Sequence, residues 1–222
     1  FIEPSFPANQ KQFVRALRGV GAQVTGIGER AKDSLDEDVR DWLLHYEQVD
    51  SVVDAQRLTD VVRGLHGRLR VDRLEAVVEA HMMAAAEVRE EIGISGTSVR
   101  TTFLCRDKPA MKEALRDAGV PCARSMGGGD RDAVRHFASE VGYPLIVKPR
   151  SGAGASGTYR VDDPVGLEHV LDETGVGRGG QVAVEEFIDG HEGFYDTITI
   201  GGSGLPDDLP EIEGVSFARD YP

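Results

Sequence analysis

Tyr143-Pro144-Leu145-Ile146-Val147-Lys148-Pro149-Arg150-Ser151-Gly152-Ala153-Gly154-Ala155-Ser156-Gly157-Thr158 is the stretch on which the fold turns. It opens as an apolar strand over residues 144–148 that delivers Lys148 at its end. A run of small residues follows, and a second strand is expected over 158–161. Phosphate is large and accepts several hydrogen bonds. A loop that surrounds it with main-chain N–H donors must lack bulky side chains and must reach positive φ in places. Gly152, Gly154 and Gly157 meet that need, and Ser151 and Ser156 add hydroxyl donors. Lys148 can reach phosphate oxygens as a point charge. In a P-loop the lysine closes the glycine run and a helix follows; here the lysine comes first, and no G-K-[ST] occurs in the chain. A Rossmann loop also feeds a helix, whereas this loop returns as a strand. The pattern therefore predicts a glycine-rich flap between two antiparallel strands. An ordinary hairpin tip has the same composition, so this segment alone leaves both readings open.

Outward from the flap, the apolar pattern alternates between periods of two and of about 3.6 residues. Upstream, helices are expected over residues 9–20, 36–44, 54–65 and 81–91. The first should bury Phe13, Ala16, Leu17 and Val20, and Gly93 should close the last. Strands are expected at residues 1–4, 22–27, 45–49 and 69–77. Alternating strands and helices imply a parallel sheet covered by helices. The Gly-, Ser- and Thr-rich residues 94–102 read as a domain boundary. Beyond them, helices are expected over 109–118, with Asp107 or Lys108 at the cap and Pro109 in the first turn, and over 130–141 and 164–174. Strands follow over 181–188 and 194–200.

Composition narrows the functions. Hydrophobic residues make up 40% of the 222 and charged residues 28%, enough for a packed core. The net charge of -13 argues against general nucleic-acid binding, which needs a cationic face. No apolar run approaches the roughly 18 residues of a membrane span. Cys105 and Cys122 match no metal or redox spacing and read as reduced thiols of a cytoplasmic protein. Both chain ends read as cut.

Two further segments flank the flap. Thr101-Thr102-Phe103-Leu104-Cys105-Arg106-Asp107-Lys108-Pro109-Ala110-Met111-Lys112 leads to Ala118-Gly119-Val120-Pro121-Cys122-Ala123-Arg124. Downstream lies Val182-Ala183-Val184-Glu185-Glu186-Phe187-Ile188-Asp189-Gly190-His191-Glu192-Gly193. In this order, the three segments closely resemble the ATP-grasp superfamily, particularly its biotin-carboxylase-like and carboxylate–amine ligase branches. The resemblance is strong from near residue 100 to near 200 and weak before that. It implies an α/β protein: a pre-ATP-grasp parallel α/β domain (residues 1–95), then the N-terminal α+β subdomain of an ATP-grasp fold (96–200), then the start of an incomplete remainder (201–222).

The resemblance also implies an ATP site. Lys108 and Lys148 match the two lysines that contact the phosphates, and Ser151, Gly152, Gly154, Ser156 and Gly157 match the flap that closes over them. Glu185, Glu186, Phe187 and Ile188 match the adenine hinge, and Glu192 the carboxylate on the ribose hydroxyls. His191 and Arg150 are as readily surface residues as ligand contacts, and Arg106 and Asp107 read as structural. The resembling enzymes activate a small-molecule carboxylate or bicarbonate as an acyl-phosphate for attack by an amine or other nucleophile, and homodimers are common among them. They use Mg²⁺, whose ligands are expected beyond Pro222. Glu211 and Glu213 read as a solvated acidic loop, so no metal ligand and no catalytic residue is assigned, and this stretch alone is expected to be inactive. A degenerate nucleotide-binding module without ligase chemistry is the alternative. A dinucleotide-binding α/β domain is disfavoured, because the first loop has no G-x-G-x-x-G.

Overall fold

The computed structural model describes residues 1–150 and 157–191. In chain order the elements are α1 (Gln10–Gly19), β1 (Thr25–Gly28), α2 (Glu37–Trp42), β2 (His45–Gln48), α3 (Ala55–Leu69), α4 (Met82–Ile92), α5 (Val99–Arg106), α6 (Lys108–Asp117), β3 (Ser125–Gly128), α7 (Arg131–Val141), β4 (Leu145–Pro149), β5 (Tyr159–Val161), α8 (Pro164–Glu173) and β6 (Val182–Glu186). The expected strand at 194–200 lies outside the described residues.

The first half is a small parallel α/β layer. β1 and β2 pair in parallel, from Thr25 opposite His45 to Gly28 opposite Gln48. The expected strand at 1–4 is reduced to one parallel bridge, Ile2 to Ile27. Its core gathers Ile2, Ile27, Leu58, Val62, Leu74 and Val88. Two expectations fail here. Residues 69–77 are not a strand: α3 continues through Leu69 and ends at Arg70 in the left-handed region, φ 51. The segment beyond offers the Glu75 carbonyl to the Ile2 N–H, at 2.9 Å. On α1 the buried side chains are Gln10 and Val14, while Phe13 and Val20 stay 45% and 83% exposed. The apolar residues of that helix thus outnumber the positions its one-sided packing can cover. The Gly- and Ser-rich stretch runs into α5, where the Ser98 hydroxyl accepts from the Thr101 N–H at 3.0 Å and caps the helix.

The second half is a four-stranded sheet of order β3-β6-β4-β5 with every neighbouring pair antiparallel. Period-two alternation sorts its side chains. Leu145, Val147, Val182 and Val184 face a dry core with Val134 and Ala138 of α7 and Leu167 and Leu171 of α8. Ile146, Lys148, Ala183 and Glu185 face the other way. Outside that core, Arg131 and Arg135 of α7 pair with Glu168 and Asp172 of α8 at 2.6–2.7 Å. Hydrogen bonds from Arg135 and then Arg131 bring the Glu168 carboxyl down to about 2. β3, whose sequence Ser-Met-Gly-Gly carries no strand signal, forms as an edge because β6 offers it a partner.

α6 approaches the polar side of the sheet closely. A Cβ on Gly127 of β3 would meet Pro109 Cγ at 2.5 Å, so only glycine lets the start of α6 lie on this edge strand. The register and this contact together bring the lysines of α6 over β6.

Candidate functional site

The exposed end of the polar sheet face is built by β4, β6 and α6. Lys148 pairs across the sheet with Ala183, and Ile146 with Glu185. Lys148 and Glu185 are therefore diagonal neighbours on one face, within reach of long side chains. The Lys148 ammonium donates to Glu185 Oε2 at 2.8 Å. The Lys112 ammonium, from α6, sits 2.9 Å from the same oxygen. All three side chains are largely buried. Glu185 Oε1, by contrast, is buried with no hydrogen-bond partner among the described residues.

Burial pushes the Glu185 carboxyl toward the neutral form, but the hydrogen bonds from Lys148 and Lys112 outweigh it and hold the group below the ordinary glutamate value. A lowered folded-state value means the carboxylate's stabilisation is fully present above the ordinary range. It is lost as pH falls through the lowered value.

The floor of the site is fixed by a second ion pair. Asp107 caps α6, its Oδ1 accepting from the Ala110 N–H at 2.9 Å, and its Oδ2 accepts from Arg150 Nε at 2.7 Å. Burial opposes the ionised carboxyl, but the Arg150 and Ala110 hydrogen bonds keep it below the ordinary value. Arg150 is thereby tied to the foot of α6 at the point where the flap leaves β4. Asp107→Ala is expected to cost about 1–2 kcal/mol, the usual range for losing a cap, with Asp107→Asn recovering part of it. Urea denaturation of the three proteins would measure this, and equal stability of all three would contradict the capping role.

Each residue expected at the site can now be placed. Lys148 and Glu185 are in contact. Lys108 opens α6 beside Asp107, whose carboxylate its charge helps to keep ionised. Glu186, Phe187 and Ile188 follow Glu185 at the end of β6. The Glu186 and Phe187 N–H groups are consumed by the sheet, bonding to the Arg124 and Pro144 carbonyls at 2.9 and 3.2 Å. Glu186 Oε1 also accepts from the Arg124 N–H at 2.9 Å, which pins β3 to this strand end. Arg160 of β5 stacks over the Phe187 ring at 4.3 Å. Ile188 is exposed. Gly157 holds φ 71 with Pro149 beneath it, so glycine is required where the flap rejoins the sheet. β4 and β5 are antiparallel, as expected of strands joined by a flap. Ser151, Gly152, Gly154, Ser156 and Glu192 lie outside the described residues, as do Glu211 and Glu213. His191 is exposed, and Arg150 serves Asp107. Lys112 was missed by the sequence reading. Its signal was its place one helical turn after Lys108, on the same face of α6.

Comparison with known proteins decides what this arrangement is. Residues 107–194 match the family model for the carbamoyl-phosphate synthase L chain, ATP binding domain. Over these residues the chain resembles the ATP-grasp enzymes. Among curated ATP-grasp relatives, it is 35% identical over 136 residues to the D-alanine–D-alanine ligase of Desulforudis audaxviator, covering 60% of this chain and 44% of that protein. It is 24% identical over 206 residues to the N-terminal section of the carbamoyl phosphate synthase large chain of Methanopyrus kandleri, covering 90% and 36%. The chain thus spans less than half the length of these relatives. Among solved structures, the L-amino acid ligase of Bacillus licheniformis superposes with a TM-score of 0.64 at 22% identity, covering 86% of this chain and 45% of that one. The biotin carboxylase domain of the Hydrogenobacter thermophilus 2-oxoglutarate carboxylase, solved with MgADP, ADP and bicarbonate, gives 0.62 at 23%, covering 81% and 42%. At these identities the structural likeness establishes the α/β fold shared with those enzymes.

Among the described residues, no helix is long and apolar enough to cross a membrane. No group of three or more His, Cys, Asp or Glu that could hold a metal ion occurs among them.

Proposed function

We propose that the chain binds ATP across the Lys148–Glu185–Lys112 face, as the nucleotide-holding part of an ATP-dependent ligase. The observation that carries this reading is Glu185 Oε1, a buried acceptor with no donor among the described residues, beside two ammonium groups. A buried acceptor left without a donor costs about 1–3 kcal/mol, and a ligand amino group placed there recovers that energy. The exocyclic amine of adenine is such a donor. With the Glu186 and Phe187 N–H groups consumed by the sheet, the main-chain donor to adenine N1 falls to Ile188, and the Glu186 carbonyl becomes a second acceptor for the amine. Phe187 and Ile188 supply apolar contact to the base.

Lys148 and Lys108 then take the phosphates, Ser151, Gly152, Gly154, Ser156 and Gly157 close over them, and Glu192 receives the ribose hydroxyls. Residues 1–95, 96–200 and 201–222 act as the pre-ATP-grasp domain, the nucleotide-binding subdomain and the start of the remainder. In the reaction class of the family, a carboxylate or bicarbonate attacks the γ-phosphorus, ADP leaves, and an amine or other nucleophile displaces phosphate from the acyl-phosphate. Divalent metal would neutralise phosphate charge there. No described residue set holds it, and no step is routed through it.

Calorimetric titration with ATP and ADP tests the reading. Saturable binding of both is expected, without sustained phosphate release from the 222-residue chain alone. Linear release of phosphate over many turnovers would refute the inactivity, and an absence of any nucleotide heat would refute the site.

A further inference from the structure

We propose that Lys112 sets the selectivity of this site for a 6-amino purine, by keeping the Glu185 carboxylate in place as an acceptor once phosphate draws Lys148 away. The inference rests on the adenine reading given above and deepens it by giving Lys112 a role in choosing the base.

Both lysines converge on one oxygen of Glu185, Oε2, at 2.8 and 2.9 Å. That oxygen can accept from both ammonium groups at once, so the loss of one still leaves the carboxylate a cation. The two differ in origin. Lys148 stands at the end of β4, where the flap begins, and is the more exposed, at 22% of its side-chain surface against 12% for Lys112. A polyphosphate arriving under the flap competes for Lys148 with far more negative charge than one carboxylate carries. Lys112 is held back on the second turn of α6, behind Pro109 and Gly127.

When Lys148 turns to phosphate, Glu185 remains buried and keeps one cation. The charged groups acting on it are Lys112 and Lys148, from α6 and β4; β3 places the neutral Ser125 opposite it. Without Lys112 the carboxyl would face only its burial and would take up a proton. Its free oxygen would then donate as well as accept. An ionised Oε1 accepts from the amine of adenine and repels the 6-oxo group of hypoxanthine. A protonated one tolerates both. Selectivity against an analogue that misplaces a donor is large when the site's own buried group is left unpaired.

The test is affinity for ATP and for ITP, measured with wild type, Lys112→Met and Lys112→Arg across pH 6–9. Wild type should prefer ATP at every pH. Lys112→Met should lose roughly tenfold or more of that preference at low pH and regain it as pH rises. Lys112→Arg should restore the wild-type ratio, since it returns the cation. Should Lys112→Met weaken ATP and ITP by one common factor with no pH dependence, Lys112 is a phosphate contact or a packing residue and the proposal fails. If Lys112→Met does not fold by circular dichroism, Lys112→Gln is measured instead and judged by the same ratio. A wild type that binds ATP and ITP equally also overturns the selectivity role, but leaves the nucleotide site standing. One that binds neither overturns the adenine reading itself.

Discussion

Lys148→Ala should weaken ATP binding about 100-fold, or roughly 3 kcal/mol, the middle of the range for truncating one partner of a buried charge pair. Its ammonium stands where β4 gives way to the glycine run, on the same sheet face as Glu185. The protein should nevertheless stay folded. Glu185 keeps Lys112 at 2.9 Å and is not left as a lone buried charge. The expected pattern is therefore a large loss of affinity with a small loss of stability. Calorimetry with ATP, paired with urea denaturation, reads both. A variant that binds ATP normally would remove Lys148 from the phosphate site. One that binds poorly because it has unfolded would show that the Lys148–Glu185 pair is structural.

Leu145→Ala is expected to have the largest effect on stability, about 3 kcal/mol within the usual 2–5 for a fully buried leucine. Leu145 is 0% exposed at the start of β4, between α7, α8 and β6. In a protein of this size the melting point should fall by roughly 6–12 °C. Leu58→Ala should cost a similar amount in the other core, which gathers around α3 and α4. The two cores share no residue. Scanning calorimetry of both variants then tests the proposed division near residue 95. If the halves are separate domains, each substitution should lower its own transition and leave the other in place. A single transition displaced equally by both would mean one cooperative unit.

Much of the site was legible in the chain. Lys148 announces itself because a lysine closing an apolar strand before a glycine run has few structural uses, and Asp107 followed by Lys108-Pro109 spells a capped helix. Other parts were hidden by the same logic. β3 has almost no strand propensity of its own and exists because β6 has a free edge. α5 was masked by the Gly, Ser and Thr around it, although Ser98 is a sound cap. Residues 69–77 look like a strand by composition, but α3 runs on into them and leaves the rest as a connection.

The sequence by itself determined the order of most elements, the turn from parallel α/β layer to antiparallel sheet, and the lysine that closes β4 before the glycine run, because each depends on local period and local backbone freedom. Only the tertiary structure decided the rest. The strand register made Lys148 and Glu185 diagonal neighbours, and Gly127 let α6 come close enough to bring Lys112 to the same oxygen. Burial then left the other oxygen without a partner among the described residues. Those features depend on residues 37 and 73 positions away from Glu185, and no local pattern carries information over such separations.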